Sequence, residues 1–124
     1  LAKTLQRRKE RNKMFDKKKY QELVNERVNT DWEFKIDEIC KELLFMITDN
    51  EVVFDEFIEY MKSEMTAEEY VYLSEISDEI SQKKPSHKFV EAYKFLAKKY
   101  PAETEDYHIQ SFIEVAEAWA EETN

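Results

Sequence analysis

A chain of 124 residues without a single glycine excludes a Gly-rich phosphate loop, a dinucleotide-binding fingerprint and a G-x-S-x-G nucleophile elbow, because each needs backbone that only glycine adopts cheaply. Charged residues reach 38% and hydrophobic residues 42%, a composition too apolar for disorder, sufficient for one core at this length, and without the long apolar run of a membrane span. The formal charge of −9 averages two unlike parts: residues 1–20 hold nine Lys/Arg against Glu10 and Asp16, and residues 21–124 hold ten against 26 Asp/Glu, so a +7 arm precedes a −16 body.

The arm, LAKTLQRRKERNK, has no clear buried face and reads as a solvated helical extension over residues 1–15. Met14 followed by FDKKKYQELVNE also reads as an ordinary opening, in which case residues 1–13 precede the natural start. A nucleic-acid-binding role has the cations it needs but no interleaved aromatics for stacking, and the −16 body repels nucleic acid. The expected fold is all-α, a single compact domain over residues 16–124 built from five to six short helices, antiparallel because their loops are short.

Residues 16–28 form the first helix, with Tyr20, Leu23, Val24 and Val28 on one side and Asn29 standing in for a C-terminal glycine. Thr30-Asp31-Trp32-Glu33 has the pattern of a capping box and opens a second helix over 31–48, where Trp32, Ile36, Ile39, Cys40, Leu43 and Ile47 recur at helical spacing. Asp49 or Asn50 punctuates. A third helix over 51–63 carries Val53, Phe54, Phe57, Ile58 and Met61 inward. Thr66-Ala67-Glu68-Glu69 is a second capping box, opening a fourth helix over 67–83 with Tyr70, Leu73, Ile76 and Ile80 inward. Pro85 stops it and Ser86 caps the next, over 87–100. Pro101 breaks the chain again, and a last helix over 106–122 turns Ile109, Phe112, Ile113, Ala116, Trp119 and Ala120 inward. The glycine-free chain thus ends its helices with Asn, Asp and Pro.

No constellation for catalysis, cofactor binding or metal binding emerges. Adjacent acids are frequent, but with 28 Asp/Glu in the chain they read as solvated helix faces rather than acid–base pairs. Glu105-x-x-His108 matches one half of a di-iron carboxylate site whose second half is missing. Cys40, the single cysteine, lies among Ile36, Ile39, Leu43 and Leu44, where a thiol behaves as a small hydrophobe; one cysteine and a basic N-terminus without an apolar stretch fit a reducing cytoplasm. The informative segment is 67–83. On one continuous helix, Glu68, Val71, Glu75, Asp78 and Glu79 share the face opposite the core, with Tyr72 at its edge. Acids around an exposed tyrosine suit a basic protein partner, the tyrosine supplying area and the acids steering. Glu51, Asp55, Glu56 and Glu59 beside Tyr60 make a second such patch on the third helix.

Over residues 30–120, the stretches IDEICKELLFMI, VVFDEFIEYM, YVYLSEISDEI and KFVEAYKFLAKKYPAETEDYHI resemble the small acidic immunity proteins encoded beside bacterial polymorphic or contact-dependent toxins, in their short acidic helices and tyrosines taken to be exposed. The resemblance implies a cytoplasmic, non-enzymatic protein that binds one cognate toxin domain, often a nuclease, and blocks its active site or an essential surface. The tyrosine pair before a proline found in colicin-nuclease immunity proteins is not reproduced, since Lys98-Lys99-Tyr100-Pro101 has one Tyr, so no binding residues are carried over from them. A helical adaptor holding a basic peptide or helix in an acidic groove is the alternative.

Overall fold

The computed structural model describes residues 14–122, within which the chain forms eight helices and no strand. They are α1 (Lys17–Val28), α2 (Glu33–Thr48), α3 (Glu51–Ser63), α4 (Ala67–Leu73), α5 (Ser77–Lys83), α6 (His87–Lys99), α7 (Pro101–Asp106) and α8 (Ile109–Glu122). The helical reading of residues 1–13 lies outside the described residues. Phe15, placed above in the arm, packs its ring against Tyr20, Phe57 and Tyr60 at 5.3–5.7 Å and belongs to the body.

Four of the eight starts are set by local side chains, as the residue types require. Asp16 accepts from the Lys19 amide, Asn50 from Val53 and Ser86 from Phe89. The capping box at Thr66 is complete: Thr66 Oγ1 accepts from the Glu69 amide at 3.2 Å and Glu69 Oε1 from the Thr66 amide at 3.1 Å. The box expected at Thr30 does not form. Thr30 Oγ1 takes the nearer Trp32 amide, α2 starts two residues late, and Trp32 occupies the cap position with no side-chain bond. Asn29 ends α1 without the left-handed turn expected of it (φ −96°), its Nδ2 donating instead to the Asn25 carbonyl.

Two departures raise the helix count above five or six. The helix expected over 67–83 is broken at 74–76, where the Ser74, Glu75 and Ile76 amides bond three residues back and Ser74 Oγ takes the Val71 carbonyl. A serine hydroxyl competing for backbone in this way tightens the chain into a 3₁₀-like turn. Pro101, expected only to interrupt, instead opens α7 from its first position, where a missing N–H costs nothing. The turn from α7 to α8 places His108 at φ 54°, the one positive φ among the described residues.

Packing is only partly between sequence neighbours. α1 lies against α2 and α2 against α3, but α6 packs on α3 and α8, α5 on α8, and α2 on α5. The core is continuous from Tyr20 and Leu23 through Phe57, Met61, Leu73 and Ile80 to Leu96 and Ile113. Its unusual component is tyrosine. Tyr20, Tyr60, Tyr70 and Tyr93 are all at most 3% exposed, and buried phenols need partners. Tyr60 Oη donates to Glu69 at 2.8 Å and accepts from Gln21 Nε2 at 3.1 Å; Tyr93 donates to Ser77 Oγ; Tyr70 pairs with Thr104. Half-buried Tyr100 reaches the Met65 carbonyl at 2.8 Å. Burial pushes Tyr20, Tyr60 and Tyr93 well above the ordinary phenol range. No helix among the described residues is long and apolar enough to cross a membrane.

Candidate functional site

The break at 74–76 decides where the acids of 67–83 point. With two short helices in place of one, the residues expected on a single outer face separate. Glu68 stays exposed on α4, and Val71 beside it is half-buried. Asp78, on α5, accepts from Trp119 Nε1 of α8 at 3.2 Å. Glu75 and Glu79 turn toward α2 and line a groove with Asp37.

Tyr72 is not the exposed anchor expected of it. It is half-buried against the core, and the Arg27 guanidinium of α1 lies 5.1 Å from its ring centroid. The same guanidinium grips Glu75 with two bonds, Nε to Oε1 at 2.8 Å and Nη2 to Oε2 at 2.7 Å, and its Nη1 reaches the Thr30 carbonyl at 3.4 Å. The bond to Glu75 is the main reason the Arg27 pKa is raised. Tyr72 and Glu75 therefore form an internal clamp that holds α1 to the 74–76 turn.

The second patch also divides. Glu51 is engaged by Lys84 at 2.6 Å and Glu59 by Lys62 at 3.1 Å. Asp55 and Glu56 have no ion pair among the described residues and rim, with Glu59 and Glu64, a groove of about 420 Å³ floored by Met14, Phe15 and Tyr60. Tyr60, read above as an exposed companion of these acids, is buried with its hydroxyl on Glu69.

What the fold assembles instead is the groove between α2 and α5. Its volume is about 360 Å³. Ile36, Cys40, Leu44 and Ile76 give it an apolar floor, and Asp37, Glu75 and Glu79 an acidic rim, with Lys41 as the one cation in the lining. The floor follows from α2 having more apolar residues than its inward stripe uses: Ile39, Leu43 and Ile47 are buried, whereas Ile36, Cys40 and Leu44 are left half-covered on the flank facing α5. Burial, then the negative Glu75, push the Cys40 thiol above its ordinary range, which disfavours the nucleophilic thiolate. An apolar floor with carboxylates along its edges can hold an aliphatic side chain whose neighbours are Lys or Arg.

No family model, curated protein or solved structure matches the chain.

Among the described residues no three His, Cys, Asp or Glu side chains group so as to hold a metal ion; Glu105 and His108 both face solvent. Sequence reasoning missed Asp37, Ile36 and Leu44 as parts of one groove. It also missed the outward aromatics of α2, Phe34 and Phe45, although both were left over once the inward stripe of that helix had been assigned.

Proposed function

We propose that this chain is an immunity protein that binds and neutralises a basic toxin domain in the bacterial cytoplasm, by protein–protein contact and without chemistry of its own. The observation that carries this reading is the groove between α2 and α5, with its apolar floor and the carboxylates of Asp37 and Glu79 on its rim beside the Glu75 that Arg27 holds. The −16 charge of residues 21–124 and the resemblance described above support it. Nucleases hold phosphates in basic clefts, and an acidic inhibitor both matches such a surface and reaches it quickly by electrostatic steering. Apolar contacts in the floor then slow dissociation.

The test is co-expression with the product of the adjacent gene. Rescue of growth together with a stable complex is the expected result; a neighbour that is not toxic, or toxicity that persists despite co-expression, overturns the reading. Association slows as ionic strength rises, because steering is screened over about 8–10 Å at physiological salt.

A helical adaptor for a basic peptide is the second reading, favoured by the half-apolar, half-acidic lining of the same groove, which suits an amphipathic helix. The two separate on what is bound: an adaptor captures an isolated basic helix and gives no protection against a toxin.

A further inference from the structure

The three most exposed aromatic side chains among the described residues belong to α2 and its cap. Trp32 at its cap is 66% exposed, Phe34 is 61% exposed and Phe45 is 67% exposed. They are not scattered. The Trp32 and Phe34 ring centroids lie 5.4 Å apart, so the two rings make one knob. Phe45 follows Phe34 by eleven residues, which returns it to nearly the same side of the helix about 16 Å further along the axis. The crest between the knobs carries Glu38, Lys41 and Glu42, all exposed. None of the three aromatics belongs to the core cluster or packs against it, so the fold itself does not account for them, and a rigid helix holds them apart at a set spacing.

The geometry points to this crest as the anchoring surface for a basic protein partner, one that presents two apolar sockets about 16 Å apart with cations around them. This rests on the reading of a basic partner given above and names where that partner is held. Charge selects the occupant. Asp37 and Glu79 stand on the groove side of the crest, and Glu26, Glu38 and Glu42 border the depression on its other side, against Lys35 and Lys41. With these five acids set against Lys35, Lys41 and the Lys19 that pairs with Glu42 at 3.9 Å, the surface is acidic on balance, so a second copy of this chain is repelled and a cationic surface attracted. The aromatics supply the desolvated area that charge alone cannot, as at the centres of other interfaces.

Trp32 is a built-in reporter for the test. The full chain carrying Trp119→Phe, its helicity checked by circular dichroism, is titrated with an amphipathic helical peptide made only of leucine and lysine. Binding is expected to shift the Trp32 emission to the blue, and Phe34→Ala with Phe45→Ala to weaken it by about tenfold or more. Calorimetry on the chain with Trp119 intact gives the same affinities should the reporter variant fold poorly. No binding, binding with Trp32 emission unchanged, affinity within about twofold for the double variant, or light scattering that shows a second copy seated on the crest each overturns the proposal. A parallel titration uses the adjacent-gene toxin domain. If the peptide binds through the crest and the toxin does not bind, the crest stands and the immunity reading falls. If the toxin binds the double variant at full affinity, the crest falls and the immunity reading stands.

Discussion

The interior and the α2 crest divide the aromatic residues in an unexpected way. The interior sets four tyrosines, polar at one end, beside Phe54, Phe57 and Phe89; the crest carries two phenylalanines and a tryptophan and no tyrosine. Tyr20, Tyr60, Tyr70 and Tyr93 are buried, while Phe34, Phe45 and Trp32 stand in solvent. Apolarity alone would not bury four phenols while leaving Phe34, Phe45 and Trp32 outside. The difference lies in what each ring must satisfy. Tyr60, Tyr70 and Tyr93 each bond a named partner from another helix, so every such phenol fixes position as well as filling volume. The phenylalanines of α2 have no polar atom to satisfy and cost nothing in hydrogen bonds when a partner covers them.

Alkaline pH breaks this contrast most completely. Burial raises Tyr20, Tyr60 and Tyr93 above the ordinary phenol value of 10.0. A raised folded value means the stabilisation is intact below pH 10 and is lost as the pH climbs above it toward the folded-state values. Tyrosinate absorbance during alkaline titration is expected to rise in two phases. The buried phenols make up the later phase and ionise only together with loss of the helical signal. A single smooth phase near pH 10 would show that the interior phenols are not held as described.

Next in size is Arg27→Ala. It removes a two-bond grip on Glu75 and the cation above Tyr72, and its expected cost is about 1–2 kcal/mol, limited because Glu75 is partly solvated. Urea denaturation measures it. Tyr60→Phe follows at about 1 kcal/mol, since the buried Glu69 loses one donor but keeps the Thr66 amide. At the small end, Phe34→Ala and Phe45→Ala each change stability by no more than about 0.5 kcal/mol. A larger loss at either position would mean that the crest serves the fold and not a partner.

Some short-range features were legible in the sequence, and the long-range ones were not. The caps at Thr66 and Ser86 depend on residues three apart and form as read, whereas the box read at Thr30 on the same spacing does not. The all-helical class followed from periodicity. The break at Ser74 was hidden because the apolar spacing of Tyr70, Leu73, Ile76 and Ile80 runs through it without interruption, and all four are buried on either side. The exposure assigned to Tyr72 failed for a different reason: Arg27, which covers it, lies 45 positions earlier on a helix whose own pattern gives no sign of that contact. The groove between α2 and α5 was likewise out of reach, since it depends on which flank of α2 meets the 74–76 turn.

His108 bears on the unfolded chain as well as the folded one. It is the one described residue with positive φ, a conformation most side chains resist and glycine takes freely. Everywhere else in residues 14–122 the helices begin and end without that geometry, and the whole chain is free of glycine. A backbone carrying a side chain at every position samples fewer conformations when denatured, and each avoided glycine narrows the entropy gap to the folded state by about 0.4–1 kcal/mol. Part of the stability of this domain therefore resides in the stiffness of its disordered form rather than in any contact of its ordered one.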